Sequence, residues 1–481
     1  MTCPPSVSLA VTPQLEPGGE PLPFAAPAQR DPALEEFLAE ASTLLTRWLA
    51  TAEQRPPLPA LSVMPAVEPE AWGLSSERLL GDLQLVMEGA FNANHPGAIA
   101  HLDPPPLAAS VVAELICAGM NNNLLAEELS PSLSRLERSL CAWLARQLGL
   151  GETSGGVLAS GGSLSNLTAL VTARHRRGLA QNPRAVVLAS ADAHVSLNKA
   201  IAVMGLPPEA LVTVPVDACG RLDPTLAADR LRDLETAGRP VLALVATAGT
   251  TVRGAVDPLS DLAALCRPAG VWLHVDGAIG AVCGLSPRHR HRVEGLGLAD
   301  SITINPQKLL GITKTSSALL LREPETLPAA FGTGLPYMEP SWGEAHGGEC
   351  GLQGTRSGEI LKLWLGLRQL GLGGIEAVID GAIERRRCLQ GLLNPLALDL
   401  VSGPMHLLAF APTGADPDQA ERWARHTRQR LLERHLMLSR PLYGGRHHLK
   451  AVLGNPHTRE EHLGAVADVV NASLVDGALG P

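Results

Sequence analysis

Apolar side chains first recur with a regular period between Leu34 and Ala52, where Leu34, Phe37, Leu38, Leu44, Leu45 and Leu49 fall at helical spacings and predict an amphipathic helix. The proline-rich break Arg55-Pro-Pro-Leu-Pro ends it. A second helix is predicted near Ser75 to Phe91. The stretch from Leu107 to Leu148 reads as two long amphipathic helices separated at Ser130-Pro131, with Pro131 in the first turn of the second and Ser130 as its N-cap.

After Gly151 the pattern changes to short β-rich runs alternating with helical ones. The predicted strands are Gly156–Ser160, Arg184–Ser190, Ala210–Pro215, Val241–Thr247, Val271–Asp276 and Ser301–Asn305. Helices are predicted up to Arg177, up to Met204, over Pro224–Ala237 and near Leu259–Cys266. Such alternation is the signature of a parallel α/β sheet with crossover helices. From about Ile375 the rhythm loosens, with strands at Leu398–Val401, Leu407–Ala411 and Leu449–Leu453, which suits a smaller α+β domain. The expected organisation is therefore a loose proline-rich tail over 1–30, a helical segment over 31–106, a large α/β domain over 107–374 and a small α+β domain over 375–481.

Composition narrows the class. In 481 residues, 45% hydrophobic and 18% charged, there is enough apolar material for a large core, which excludes wholesale disorder. The charge balance, 39 − 48 = −9, argues against nucleic acid and against an anionic membrane surface as partners. No run of about 18 apolar residues predicts a spanning helix, and the N-terminal segment lacks a basic stretch followed by an apolar one. The eight cysteines form no CxxC pair, which argues against a disulfide framework or a zinc ribbon. A reducing, cytoplasmic setting is expected, and no metal site.

Three segments carry candidate chemistry. Ser160-Gly161-Gly162-Ser163-Leu164-Ser165-Asn166 lies between a strand and a helix, where glycines let the backbone approach an anion and the helix N-terminus offers free N–H groups; a tight turn that needs glycine is the plainer alternative. No GKS or GKT follows, so this is no nucleotide P-loop. Val271-Trp-Leu-His274-Val-Asp276 is a hydrophobic strand ending in an acid, at the end of the sheet where open α/β folds bind ligands. Ser301-Ile-Thr303-Ile-Asn305-Pro-Gln307-Lys308 ends another strand in a lysine, which reads either as a snorkelling surface residue or as a Schiff-base amine.

Taken in order, these segments together with Ala193-His194-Val195-Ser196, Thr247-Ala-Gly-Thr-Thr251 and Asp276-x-Ala278 resemble the group II pyridoxal-phosphate-dependent amino acid decarboxylases, the family of glutamate, aromatic amino acid and diaminobutyrate decarboxylases. The likeness starts near Asn94-His95-Pro96 and Ala100-His101-Leu102. It continues through Ser130-Pro131 and Gln353-Gly-Thr-Arg356 to Leu449-Lys450 and Asn455-Pro456-x-Thr458, so it covers roughly residues 90 to 470. It implies a fold-type I transferase-like architecture with a mainly parallel seven-stranded sheet, pyridoxal 5′-phosphate as cofactor, an amino acid as substrate, and a homodimer with the active site at its interface. The helical N-terminal segment would serve dimerisation. By the same resemblance, Lys308 looks like the Schiff-base lysine and Asp276 like the partner of the pyridine nitrogen. His194 would stack on one face of the ring and Ala278 pack the other. Gly162, Ser163, the Leu164 backbone and Asn305 are similar to the phosphate cradle, and Thr247 lies where the family places a residue near the 3′-oxygen.

The chain also departs from that pattern. Gln307 stands where the family commonly has histidine before the lysine, and Lys450 where it has an arginine for the substrate α-carboxylate; Arg446 becomes the alternative if the alignment slips by four residues. Many relatives reprotonate the α-carbon with a tyrosine on a mobile loop, but Met338 to Leu352 contains none. His346, between residues that include Gly347 and Gly348, is the candidate donor there, with water or His194 as the alternative. Asn122, in the run Asn121 to Asn123, lines the substrate pocket or caps a helix. The expected reaction is α-decarboxylation of a diaminobutyrate-like or small acidic amino acid. The alternatives are oxidative decarboxylation to an aldehyde and a catalytically decayed cofactor-binding protein.

Overall fold

The structure, a computed structural model of the chain, describes residues 23–60, 64–334 and 346–474. Most of the expected proline-rich tail, Tyr337 and the first part of the tyrosine-free loop therefore lie outside the described residues. The chain separates into two units, Met1–His95 and Pro96–Pro481. The first holds α1 (Pro32–Ala50) and α2 (Ser76–Glu88), whose N-caps Asp31 and Ser75 accept the backbone N–H groups of Leu34 and Arg78. Neither helix buries a residue, and the Trp48 indole N–H donates to the Met87 carbonyl at 2.9 Å.

The second unit opens with α3 (Ala108–Met120) and α4 (Pro131–Gln147). The first predicted helix of this pair is shorter than its apolar period suggested, because Asn121 adopts a left-handed conformation at φ 47° and ends it. Pro131 occupies the first turn of α4 as expected, but Ser130 does not cap with its side chain: its hydroxyl donates to Asn122 Oδ1 at 3.3 Å instead.

Seven strands then build the central sheet: β1 (Gly155–Ala159), β2 (Val186–Ser190), β3 (Leu211–Val214), β4 (Val241–Thr247), β5 (Trp272–Gly277), β6 (Ser301–Ile304) and β7 (Ser317–Leu321). Their order is β1-β7-β6-β5-β4-β2-β3. The run from β3 to β6 is parallel, whereas β7 is antiparallel to both of its neighbours. Every residue of β4 and β5 is buried, as expected for parallel strands covered on both faces. Crossovers are made by α5 (Gly162–Arg176), α6 (Ser196–Val203), α7 (Pro224–Thr236) and α8 (Leu259–Cys266); the short α9 (Thr326–Phe331) follows β7. Strand β7 is the one the sequence pattern did not announce. Its five residues, Ser-Ala-Leu-Leu-Leu, are too short and too uniformly apolar for a period to separate strand from buried helix.

Helix α10 (Ile360–Leu392) is broken at Gly371, where φ is +61°. It leads to β8 (Leu398–Ser402), β9 (Leu407–Pro412), α11 (Pro417–Leu432), the two-residue strands β10 (Leu442–Tyr443) and β11 (Arg446–His447), β12 (Leu449–Val452) and α12 (Glu460–Ser473). The order β12-β9-β8 is antiparallel throughout. These elements pack around a second core that includes Phe410 and Trp423, separate from the core that surrounds the large sheet.

Candidate active site

The register of the parallel strands sets Thr247 beside Asp276 and Asp276 beside Thr303, so three polar side chains lie across the carboxyl ends of β4, β5 and β6. Asp276 is buried, and its carboxylate needs donors there. Oδ2 accepts from Asn166 Nδ2 at 2.7 Å, and Oδ1 from the Ala278 backbone N–H at 3.1 Å. Lys308 follows β6 by one tight turn, Pro306–Lys308. Burial pushes its ammonium below the ordinary lysine range, opposed by the negative charges of Asp276 and Asp103. An amine so shifted is more often neutral, which makes it a better nucleophile.

His194 sits just before α6, and its Nδ1 accepts the Ser196 N–H at 3.2 Å. Burial lowers its pKa while Asp276 pulls the other way, so the ring is mainly the neutral tautomer with hydrogen on Nε2. Thr247 donates its backbone N–H to Asp257 Oδ2 at 2.7 Å, yet its hydroxyl is buried without any hydrogen-bond partner among the described residues. Burial raises the Asp257 carboxyl to about 6, and that group also accepts the Leu222 N–H at 2.7 Å.

β1 turns into α5 through Gly161 and Gly162, with Asn305 packed against the turn. Gly161 has φ +139°, and a Cβ placed on Gly162 would come within 2.9 Å of Asn305 Nδ2. Asn305 is itself anchored by the Ser317 hydroxyl, 2.7 Å from its Oδ1. Gly162, Ser163 and Leu164 form the first turn of α5; the Leu164 N–H reaches back to the Gly161 carbonyl at 3.1 Å, and those of Gly162 and Ser163 precede the first bond of the helical ladder, where an anion can be seated.

Lys450 enters from β12, nearly closed to solvent, with Nζ donating to the Thr251 carbonyl at 3.2 Å. Burial and then the charge of Lys308 lower its pKa to about 8. The field of Lys450 in turn lowers His101, after burial, and contributes to holding His406 near 3, after burial and Arg385. The charges acting on His101, His406 and Lys450 are thus mainly positive, with Asp103 opposing them at His101.

Other predicted site residues make hydrogen bonds of their own. Gln307 accepts the Ser316 N–H through Oε1, bracing the loop after Lys308. Asn122 donates to Met120 O at 2.9 Å and accepts from Ser130, so its amide closes its own loop. His346 accepts the Glu127 N–H on Nδ1 at 3.4 Å. Arg446, the alternative to Lys450, is tied to Asp399 at 2.8 Å. Arg356 is buried and doubly bonded to Glu137, at 3.0 and 3.1 Å.

Sequence reasoning assigned no role to Asn166, His274, Ser301 or Thr303, which connect beneath Asp276. The available signal was polarity: a histidine, a serine and a threonine interrupt otherwise apolar strands. Their partners are too far apart in the chain for spacing to pair them.

The family described as the pyridoxal-dependent decarboxylase conserved domain matches residues 64–397, more than half of the chain. The chain is 33% identical over 393 residues to an L-2,4-diaminobutyrate decarboxylase of Rhizobium meliloti (strain 1021), covering 80% of this chain and 79% of that protein. It is 32% identical over 339 residues to the cysteine sulfinic acid decarboxylase of Rattus norvegicus, covering 67% and 68%. In three dimensions it is similar to Oryza sativa TDC solved with PLP and tryptamine, with a TM-score of 0.86, 23% identity, and 94% and 99% of the two chains covered.

Proposed function

Because the chain belongs to the pyridoxal-dependent decarboxylase family and is a pyridoxal-phosphate-dependent amino acid decarboxylase, we propose that its substrate is a small amino acid of the 2,4-diaminobutyrate kind, held by its α-carboxylate on Lys450. The observation that carries this is the buried Lys450 ammonium, which lies within the electrostatic reach of Lys308 and has no carboxylate at ion-pair distance among the described residues. Similarity to a diaminobutyrate decarboxylase supports the side-chain class.

The residues present fit the cofactor. The unpartnered Thr247 hydroxyl offers a hydrogen bond to a ring oxygen. The missing Cβ of Gly162 lets the Asn305 amide lie against the N-terminal turn of α5, and we read this turn (Gly162, Ser163 and the Leu164 backbone) together with that amide as the seat of the phosphate. When bound, pyridoxal phosphate supplies an aldehyde that captures amines and a cationic ring that draws electrons from the substrate α-carbon. In our reading Asp276 sets its charge against the ring nitrogen, while neutral His194 covers one face and the Ala278 methyl the other. Lys308 supplies the amine that anchors the cofactor. Lys450 orients the carboxylate that leaves as CO₂, so its contribution is one of alignment. We assign the returning proton to His346, with Gln307 and Asn122 bordering the substrate side; unchanged turnover in His346→Ala would remove His346 from that role.

No described helix is long and apolar enough to cross a membrane. We place the enzyme in the cytoplasm, consistent with seven described cysteines that are all unpaired. We further read 107–374 as the cofactor-binding body and 375–481 as the small domain. In this reading the enzyme is a homodimer with the site at its interface. Exposed Val112, Leu115, Ile116 and Met120 recur on one stripe of α3, as a face covered by a second copy would.

A second reading, a small acidic substrate, is favoured by the buried Lys450 ammonium, whose field reaches His101. The test is CO₂ release by the cofactor-loaded enzyme from diaminobutyrate, ornithine, cysteine sulfinate, aspartate and the standard amino acids, with peroxide read in the same wells. We expect CO₂ from diaminobutyrate without peroxide. CO₂ from aspartate and cysteine sulfinate alone transfers the conclusion to the second reading, and CO₂ from aromatic amino acids alone overturns both. Matching peroxide would show that oxygen captures the carbanion.

A further inference from the structure

Beneath Asp276 lies a chain of buried polar groups that the reaction itself does not explain. Asn166 is closed to solvent; its Nδ2 donates to Asp276 Oδ2 at 2.7 Å and to Ser196 Oγ at 3.2 Å. Its Oδ1 meets Thr303 Oγ1 at 2.7 Å and His274 Nε2 at 3.1 Å. On the far side of the imidazole, His274 Nδ1 lies 2.8 Å from Ser301 Oγ, which also takes the Trp272 indole N–H at 2.8 Å. Every one of these side chains is buried.

The two ends fix the direction of the chain. An indole N–H can only donate, so Ser301 accepts from Trp272 and keeps its own hydrogen available for His274 Nδ1. An ionised carboxylate can only accept, so Asn166 must present its NH₂ to Asp276 and its carbonyl to His274. That carbonyl requires a hydrogen on His274 Nε2, which leaves Nδ1 to accept the Ser301 hydroxyl. Full burial lowers the His274 pKa to about 4, against the pull of Asp276, so the neutral ring is the form present near neutrality.

We propose that Trp272, Ser301, His274 and Asn166 form a one-directional hydrogen-bond relay, with Asn166 and His274 as positioning residues that aim Asp276 at the bound cofactor. This rests on the reading that Asp276 faces the ring nitrogen. Donors in such a chain polarise one another, and each group's orientation is fixed by the next. If His274 is lost, the Asn166 amide keeps only Thr303 on its carbonyl, and its rotation would bring oxygen toward the carboxylate. Among the described residues, the Ala278 N–H would then be the one donor left on Asp276.

The test uses the holoenzyme and the apo-protein prepared from it. In ¹⁵N-histidine-labelled protein, His274 should show the Nε2–H tautomer unchanged from about pH 5 to 8, in apo and holo forms alike. Asn166→Leu and His274→Phe should weaken pyridoxal phosphate binding to the apo-protein by ~10–100-fold, the range for a buried charged acceptor losing its donor. They should also shift the pH titration of the bound cofactor's absorbance and lower kcat more than they raise KM. His274→Gln, whose amide can still donate, should recover most of the affinity. It also serves if the phenylalanine variant does not fold.

Asp276→Asn separates the two levels of argument. If Asp276→Asn weakens binding and shifts the absorbance while Asn166→Leu and His274→Phe do neither, the relay is overturned and the role of Asp276 stands. If Asp276→Asn does neither, the underlying reading falls. An Nδ1–H tautomer at His274 would also overturn the relay.

Discussion

Lys450 and Lys362 are almost equally closed to solvent, at 6% and 0% exposure, yet their surroundings have opposite sign. Lys362, on α10, is gripped by Glu114 Oε2 at 2.8 Å, by Glu359 one turn earlier and by the Lys314 carbonyl at 3.1 Å. Glu114 also accepts from Thr313 at 3.0 Å, so this cluster ties α3 and α10 to the loop that follows Lys308. Among the described residues Lys450 Nζ has a single carbonyl partner, and the main charge acting on it is another lysine, Lys308. A buried ammonium with its counter-charges in place is finished structure, because desolvation is already offset. One that lacks them is open to an anion, and in the function proposed above that anion is the substrate carboxylate.

The largest expected effect therefore follows from emptying the incomplete environment. Lys450→Met should raise KM by ~10–100-fold, as for loss of a hydrogen bond to a charged group, with far less effect on unfolding stability. The sign of the pH dependence follows from its pKa of about 8. The ammonium is present below that value and is lost as pH rises through it, so wild-type KM should climb above about pH 8. Lys450→Arg keeps its charge at every accessible pH and should flatten that limb with the same substrate, which removes the substrate's own titration from the comparison. A wild-type KM that is level from pH 7 to 9.5 would sink the assignment.

Lys362→Met tests the opposite case. It leaves Glu114 and Glu359 without their cation, but their side chains are 47% and 26% exposed and can recruit water. The expected loss is therefore about 1–3 kcal/mol in denaturant unfolding rather than the larger value for a sealed pair. Bound-cofactor absorbance and KM should change little. A KM rise comparable to that of Lys450→Met would erase the distinction between the two lysines.

Much of the fold was readable in the chain because parallel strands buried on both faces are uninterrupted apolar runs. Val241–Thr247 and Leu259–Cys266 were read to the residue. Asp276 and Lys308 stand out as candidates because each closes such a run with a charge. Strand β7 was missed because its five residues offer no period to measure. What stayed hidden was pairing at a distance. His274 and Asn166 meet only once β5 and α5 pack, Lys362 meets Glu114 only when α10 lies on α3, and Ser130 spends its hydroxyl on Asn122 rather than on a cap. The sequence showed polar residues in apolar places, but it could not say which polar residue answered which.

Arg446 supplies the smallest effect and the sharpest control. It lies four residues before Lys450 and carries the planar fork better suited to a carboxylate, so from sequence it competed for the same role. In the fold it belongs to β11, its guanidinium bonded to Asp399 at 2.8 Å and to the Ala415 carbonyl at 3.4 Å, with side chains 26% and 40% exposed in the ion pair. A pair that open to water contributes only about 0.2–1 kcal/mol. Arg446→Ala should therefore lower unfolding stability by no more than that and leave KM within about twofold, since ~0.4 kcal/mol corresponds to that ratio. If instead Arg446→Ala raised KM tenfold while Lys450→Met did not, the substrate carboxylate would belong to the hairpin, and Lys450 would be buried for some other reason.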